Sequence, residues 1–267
     1  MLKKRMCFLA VLCACFALAA QSADPVILSY QRNFIRASIS TKLELLNDAS
    51  RITTVNMSPL YIDALAFADL YFPVLGSDSQ LMDIAAMAAS KVAPYNDPSV
   101  LPGLRGVFLH IPESRVRIAC LNAFAVLAPG HAEEISFLEN WFAESLSVAP
   151  GMAGSDVKVL VSCAGVLGKI GKASSFPVLF RAATGAFDSG VVQAATVALN
   201  SISEGYSDQI LAIIGTKSVQ DTYAAFSFAM KKENLTTADR GRIAEAAFAF
   251  ASAPKAGTED GHAKIYA

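Results

Sequence analysis

The strongest constraint on the fold is a recurring pattern of six apolar or small side chains at i, i+3, i+4, i+7, i+8 and i+11. Side chains with this spacing share one face of an α-helix. Copies of the pattern start at residues 81, 116, 159 and 191, and a weaker copy starts at residue 219. The clearest copy consists of Val116, Ala119, Cys120, Ala123, Phe124 and Leu127. Because one such helix cannot bury its apolar face alone, copies spaced by 28 to 43 residues predict stacked helical repeats.

Shorter apolar segments with helical spacing lie between these copies. They span residues 100–108, 135–146, 176–187 and 210–214. Pro94 and Pro129 follow two of the template helices at the same offset, and Gly171 and Gly205 are predicted to end two others. The repeating unit is therefore predicted to be helix–turn–helix.

Local signals predict where individual helices begin. Thr41 and Glu44 have the spacing of a capping box, which predicts a short helix ahead of the repeats. We expect Ser207 to be an N-cap and Pro177 to lie in the first turn of a helix. Residues 157–161 alternate like a strand, but the helical register that they share with the other copies favours a helix.

Two motifs carry a resemblance to a known family. They are Val116-Arg117-Ile118-Ala119-Cys120 and Leu167-Gly168-Lys169-Ile170-Gly171. Both are similar to the helices of HEAT-like repeats, in particular the short bacterial kind named after phycobilisome lyases. The resemblance covers roughly residues 80–230, with capping helices expected at about 59–75 and 235–252.

The resemblance implies an all-α fold, an α-solenoid of about five helix pairs that binds other proteins. It implies no lyase chemistry, because the repeat is a structural unit found in proteins without that activity. The family's arginine is present here only as Arg117, and Met82, Leu160 and Val192 replace it in the other copies.

The N-terminus has the features of a secretory signal peptide. Basic residues at positions 3–5 precede an uninterrupted apolar run over residues 6–20. The run is short for a membrane span, which needs about 20 apolar residues. Cleavage is expected after Ser22 or Ala23, and a lipid anchor at Cys15 is a less favoured alternative.

This leader gives the predicted domain organisation and localisation. A signal peptide covers residues 1–23, an N-terminal helical segment 24–58, the HEAT-like solenoid 59–252 and a flexible tail 253–267. The protein is expected to be exported to the periplasm or secreted, with no transmembrane segment after signal removal.

The net charge and the cysteine content limit the kinds of partner and of cross-link that can be expected. The formal net charge is −1, so the chain lacks the basic field that binding to nucleic acid requires. Without the leader only two of five cysteines remain, Cys120 and Cys163, which occupy the same template position. We expect both to be small buried core residues with free thiols, because stacked helices lie too far apart for a disulfide.

Two sequence motifs suggest enzymes but lack the residues that the chemistry needs. Residues 165–172 resemble a phosphate-binding loop, but five residues separate Gly165 from Gly171, and Ala173 stands where a Mg²⁺-binding hydroxyl is required. Ser155 and Lys158 have the spacing of penicillin-interacting enzymes, without the other motifs of that family. Ser155 is instead expected to be an N-cap.

Histidines and carboxylates also give no clear catalytic or metal centre. His110, His131 and His262 have no metal-ligand spacing, so no metal and no cofactor is expected. His131 is expected at a helix start. Four carboxylates are expected on the solvated side of the helix that bears the apolar stripe 135–146: Glu133, Glu134, Glu139 and Glu144.

The expected binding residues lie where the repeat is interrupted. Residues 94–103 and 147–155 lengthen two connections, and insertions in solenoids gather on one edge. Tyr95 and Asp97 lie in the first of these, and Trp141 is the only tryptophan. These three residues are the candidate contacts with a partner protein.

The sequence therefore predicts an exported, non-enzymatic, protein-binding scaffold of the cell envelope. Its partner is another protein. The alternatives are an envelope enzyme or an enzyme's accessory subunit, with a site assembled from distant residues, or a lipid-anchored envelope component.

Overall fold

The computed structural model describes residues 24–148, 156–214 and 219–252. These residues form 13 α-helices and contain no strand, so the prediction of an all-α fold is confirmed. In chain order the α-helices are α1 (Pro25–Arg36), α2 (Ile39–Ala49), α3 (Ser58–Leu75), α4 (Ser79–Val92), α5 (Leu101–His110), α6 (Ser114–Leu127), α7 (Ala132–Ser145), α8 (Val157–Ile170), α9 (Phe176–Thr184), α10 (Ser189–Ser201), α11 (Tyr206–Ile213), α12 (Val219–Lys231) and α13 (Thr237–Ser252). Short 3₁₀ helices span Ala93–Tyr95, Pro98–Val100 and Ala173–Ser175.

The contacts between helices follow an alternating order. From α1 to α12, each odd-numbered helix packs against the even-numbered helix that follows it. The even-numbered helices also contact one another in succession, from α2 through α4, α6 and α8 to α10. Among the odd-numbered helices, α1 packs on α3, α3 on α5, α7 on α9, and α9 on α11. The last helix, α13, packs on both α11 and α12.

The core is formed by the faces that the repeated pattern predicts. All six template side chains are buried in α4 and in α6, and most are buried in α8 and α10. The buried side chains form one connected cluster that runs from Ile27 in α1 to Ala251 in α13. Cys120 and Cys163 are fully buried free thiols, as predicted. The described chain from Asp24 onward thus contains the whole of this core.

The weaker copy of the pattern in α12 matches the buried side only in part. Tyr223, which the pattern places in the core, is exposed. Thr222, which belongs to the pattern, is buried, and the other buried side chains of α12 are Ala225 and Ala229, which lie outside it. Because α12 packs against both α11 and α13, the small alanine side chains face the close helix contacts and the aromatic ring is left outside.

Several predicted helix boundaries are confirmed. Residues 157–161 are helical, Pro177 lies in the first turn of α9, and His131 precedes the first residue of α7. Gly171 ends α8 with a φ of 69°, a left-handed conformation that favours glycine. Ser155 lies outside the described residues, and Asp156 caps α8.

Three predicted boundaries are wrong. The helix expected at Thr41 begins earlier, because Ser38 caps it by accepting a hydrogen bond from the backbone N–H of Thr41. Helix α10 ends at Ser201, and Gly205 precedes α11 instead of ending α10. Ser207 therefore lies inside α11 and is not its cap.

Cations cap several helix C-termini: Lys42 and Lys232 are buried, and Arg117 is partly buried. Lys42 donates to the backbone carbonyls of Phe34, Ile35 and Ala37 at the end of α1. Lys232 does the same at the end of α10, where it donates to the carbonyls of Leu199, Asn200 and Ile202. Arg117 donates to the carbonyl of Phe108 in α5 at 3.0 Å. Burial lowers the pKa of all three cations.

These caps satisfy carbonyl groups that a helix leaves without partners at its last turn. The negative end of the helix dipole also attracts a cation. The arginine that carries the resemblance to HEAT-like repeats, Arg117, is thus a structural cap between α6 and α5.

Within the described ranges, no helix combines the length and apolarity that crossing a bilayer requires. The predicted signal peptide, its cleavage sites at Ser22 and Ala23, Cys15, and the predicted tail 253–267 lie outside the described residues.

Candidate binding surfaces

Tyr95 and Asp97 lie between α4 and α5 and hold that connection onto α3. The Tyr95 ring packs against the buried ring of Tyr61, with 6.1 Å between the centroids. Asp97 accepts hydrogen bonds from the backbone N–H of Ser99 at 3.0 Å and from the hydroxyl of Ser58 at 2.7 Å. The hydrogen bonds from Ser99 and Ser58 lower the pKa of Asp97. Both predicted contact residues therefore stabilise the connection itself.

Trp141 is half-buried on α7. Its ring meets Phe108 edge to face at 4.7 Å, and the guanidinium of Arg117 lies 5.8 Å from the ring. Across the described residues, no ring contact or hydrogen bond joins Trp141 to Tyr95 or Asp97. The structure thus gives Trp141 a packing role between α5, α6 and α7. Partner binding by these three residues stays a prediction.

The even-numbered helices expose a surface that the sequence did not indicate. We call it the even-helix face; it carries two grooves of similar size. The first groove, between α4 and α6, has a volume of about 610 Å³. Its lining includes Leu43, Asp83, Ala86, Met87, Ser90, Lys91, Arg115, Ile118, Ala119 and Asn122.

The second groove, between α8 and α10, has a volume of about 600 Å³. Its lining includes Val161, Gly165, Gly168, Lys169, Gly190, Gln193, Ala194, Val197, Ala198 and Ser201. Most of these side chains are small or apolar, and Val197 is 65% exposed. The surface therefore offers apolar contacts close to the helix backbones.

Gly168 lets α8 and α10 approach closely under the second groove. A Cβ placed on Gly168 would lie only 2.6 Å from the Cα of Ala198. The hydroxyl of Ser201 donates to the carbonyl of Gly168 at 2.9 Å and joins the two helices at the same level. Gly168, the first glycine of the Leu-Gly-Lys-Ile-Gly motif, is thus required for the close packing of the two helices.

The first groove has charges at its rim. Arg115 on α6 binds Asp83 on α4, with 2.6 Å between nitrogen and oxygen. A second carboxylate, Glu113, lies 3.7 Å from the same guanidinium. Lys91 and Asn122 add polar groups, so this groove suits a more polar segment than the second does.

The prediction that four glutamates of α7 lie on its solvated side is wrong for Glu134. Glu134 is buried, and its carboxylate binds Arg105 of α5 at 2.7 Å and 3.1 Å. Glu133 is the exposed second partner of the same arginine. Hydrogen bonding to Glu134 raises the pKa of Arg105. Spacing within α7 could not show this pair, because its partner lies 29 residues away.

The arrangement closest to a catalytic pair is His110 with Asp69. Nδ1 of His110 lies 2.7 Å from a carboxylate oxygen of Asp69, at the exposed surface between α5 and α3. Within the described residues, the other ring nitrogen of His110 has no hydrogen-bonded partner that could act as a nucleophile. No group of three or more potential metal ligands occurs in that part of the chain either.

A further cavity of about 520 Å³ lies on the side of the odd-numbered helices. It is lined mainly by residues of α7, α9 and α11, including Ala143, Phe180 and Arg181, and Asp221 of α12 also contributes. Comparison with protein-family models gave no match, and comparison with curated proteins found no similar sequence. The functional assignment therefore rests on the geometry of the surfaces described above.

Proposed function

We propose that this chain is an exported, non-enzymatic scaffold of the cell envelope, a HEAT-like α-solenoid that holds a partner protein on its even-helix face. The successive contacts of α2, α4, α6, α8 and α10 support the solenoid arrangement, because each helix then has one neighbour on either side. The basic and apolar leader over residues 3–20 supports export.

The observation that carries the proposal is the pair of grooves on the even-helix face. Small and apolar residues leave room above the helix backbones, and each groove is large enough to take several side chains of a partner. Recognition surfaces combine an apolar centre with polar groups at the rim. Val197 and Val161 supply the apolar contacts of the second groove, and Arg115 and Lys91 supply polar groups in the first.

The two grooves differ in the side chains that they accept. The second groove should take apolar side chains, since Val161, Ala194 and Val197 line it. The first should take polar or charged side chains beside the Asp83–Arg115 pair. One partner segment that crosses both would have an apolar part and a polar part.

Site-specific photo-crosslinking tests the proposal. A photoreactive residue replaces Gln193 in the second groove or Asn122 in the first, in the chain 24–267 mixed with native envelope extract. The matched control carries the same residue at Glu144, which is exposed on the odd-numbered α7. We expect a discrete crosslinked protein from both groove positions and none from Glu144.

A charged substitution in the second groove provides a second test. Val197→Glu should remove the crosslink at Gln193, while circular dichroism and thermal melting stay those of the parent chain. Equal crosslinking from Glu144, or a crosslink that survives Val197→Glu, would move the binding site away from the even-helix face.

A further inference from the structure

The outward side of α3 is apolar and has no helix packed over it. Leu70 and Val74 lie one helical turn apart and are 72% and 80% exposed. Ala66, one turn before Leu70, is also exposed, and Tyr71 beside it is 43% exposed. Single exposed apolar residues are ordinary on a protein surface, whereas a contiguous stripe marks an interaction site.

The only two charged side chains of α3 are tied to its neighbours. The carboxylate of Asp63 accepts a hydrogen bond from the side-chain amide of Gln31 in α1 at 2.8 Å. Asp69 is paired with His110 in α5 at 2.7 Å. Neither carboxylate therefore interrupts the stripe that Leu70 and Val74 form.

Helix α1 extends this surface and gives it a charge. Ile35 is 73% exposed, and Leu28 is exposed two turns earlier on the same side. Arg32 and Arg36 are exposed beside them, and neither has an ion-pair partner among the described residues. The ring of Phe34 meets that of Phe67 in α3 at 6.0 Å, which fixes α1 against α3.

We propose that this surface, the α1–α3 face formed by Leu28, Ile35, Leu70 and Val74 with Arg32 and Arg36, docks onto the surface of an anionic lipid bilayer. Exposed apolar side chains flanked by arginines fit the boundary between acyl chains and anionic head groups. Arginine side chains can bury their stems there and keep the charge at the head groups.

The predicted signal peptide would bring α1 close to a membrane before it is cleaved. The apolar run over residues 6–20 stops five residues before Pro25, the first residue of α1. Five residues span at most about 18 Å. As long as the predicted leader is attached and inserted, α1 therefore begins within this distance of the lipid; after cleavage, the exposed arginines and apolar side chains of the face must supply the contact themselves.

A second copy of the chain fits the same face less well. In a two-fold symmetric contact, each α1–α3 face would meet its equal, so Arg32 and Arg36 of both copies would place four arginines in one interface. Like charges oppose such a contact, whereas anionic lipid neutralises them. The charge of the face thus favours lipid over self-association, and it is separate from the even-helix face.

Vesicle co-sedimentation of the chain 24–267 tests the proposal. Omitting residues 1–23 removes the apolar run, so any binding belongs to the folded part, which contains the whole core. We expect binding to vesicles that contain phosphatidylglycerol, and weaker binding to vesicles of phosphatidylcholine alone. Absence of binding to both kinds of vesicle would overturn the proposal.

Paired variants locate the contact. Leu70→Ser with Val74→Ser should lower binding about tenfold, because two apolar side chains no longer enter the bilayer. Arg32→Gln with Arg36→Gln should remove most of the preference for phosphatidylglycerol. The matched control, Val126→Ser with Val157→Ser, changes two exposed valines on α6 and α8 and should bind like the parent chain.

Two results would contradict this assignment. Equal vesicle binding by the Leu70→Ser, Val74→Ser variant would place the contact elsewhere. A dimer in analytical ultracentrifugation that this variant abolishes, without vesicle binding by the parent, would make a second copy the occupant. Since all four substituted apolar residues are exposed, melting temperatures should stay close to that of the parent and show that every variant is folded.

Discussion

The two grooves of the even-helix face have nearly the same volume, but their helix pairs are joined differently. Between α8 and α10, Gly168 brings the backbones together, and a Cβ there would lie 2.6 Å from the Cα of Ala198. Between α4 and α6, an ion pair between Asp83 and Arg115 spans the rim. One junction thus relies on close packing and the other has a polar link that water can reach.

The comparison shows which positions set the stack and which set the groove. The third position of the template is Ala85, Cys120, Cys163 or Ala195, and all four are fully buried. Small side chains at this position permit close helix packing in these four copies. The residues that line the grooves lie at other positions, so they can differ between junctions while the stack is kept.

Among the changes at these two junctions, Gly168→Ala is expected to have the largest effect on stability. The added methyl group overlaps backbone atoms of Ala198, so α8 and α10 must separate, and we expect a loss of about 3 kcal/mol in the free energy of unfolding. Urea unfolding followed by circular dichroism measures this loss.

Gly165→Ala is the matched control for that change. Gly165 lies in the same helix, and a Cβ added to it would meet no neighbouring atom within 4 Å. Alanine there should raise the free energy of unfolding by up to about 1 kcal/mol, because glycine is the poorer helix former. Equal losses for the two variants would show that the close contact at Gly168 does not hold the junction together.

Alkaline pH probes the buried thiols of the two junctions, Cys120 in α6 and Cys163 in α8. Burial raises the pKa of Cys120 to about 12 from 9.0 and raises that of Cys163 as well, while Arg117 lowers the pKa of Cys120 in part. As the pH rises, the thiols therefore ionise at a lower pH in the unfolded chain than in the folded chain. Their contribution to stability is therefore complete below pH 9 and is lost as the pH rises toward the folded pKa values.

Each thiol should remove about 1.4 kcal/mol of stability per pH unit above pH 9. Unfolding curves between pH 9 and 11 should thus fall less steeply for Cys163→Ala than for the parent chain, by roughly 2.5 kcal/mol over that interval. Parallel pH profiles for the variant and the parent would show that Cys163 ionises without unfolding and is accessible to water.

A smaller effect is expected from Ser201→Ala. Its hydroxyl hydrogen-bonds the carbonyls of Gly168 and Ala198, so its removal should cost about 1 kcal/mol in the free energy of unfolding. Ser90→Ala in α4 is the control, because Ser90 bonds only the carbonyl of Ala86 in its own helix. If Ser90→Ala costs as much, the hydrogen bond between α8 and α10 adds nothing specific to that junction.

The smallest effect is expected from Arg115→Gln. Its ion pair with Asp83 has side chains that are 56% and 36% exposed, so the loss should be about 0.5 kcal/mol or less and should shrink at high salt. A double-mutant cycle with Asp83→Asn, measured at two salt concentrations, isolates the pair. A coupling above about 1.5 kcal/mol would show that the ion pair contributes substantially to this junction and would contradict the proposed difference between the two junctions.

Much of the fold could be predicted from the sequence, because a helix buries residues at a fixed spacing. The template identified the buried faces of α4, α6, α8 and α10 and the two free buried cysteines. It held only in part in α12, which contacts two helices: Thr222 is buried as the template predicts, but Tyr223 is exposed. The starts of α2 and α11 failed because a neighbouring residue, Ser38 or Gly205, takes the cap position.

The candidate binding surface was much less predictable. Tyr95, Asp97 and Trp141 are polar or aromatic residues near interruptions of the repeat, and the structure gives each of them contacts within the chain. Both proposed binding surfaces, the even-helix face and the α1–α3 face, mix small or apolar residues with a few polar ones. No motif in the sequence distinguishes such residues from those of an ordinary helix surface.

The sequence by itself determined the helical class, the period of the repeat and the small side chains at the stacking position, since these depend on local spacing. Only the tertiary structure decided that Gly168 lies under Ala198 and that Glu134 pairs with Arg105. It also decided that Leu70 and Val74 stay uncovered. The physical reason is that such contacts join residues about 30 positions apart or depend on the absence of a covering helix, and no local pattern encodes either.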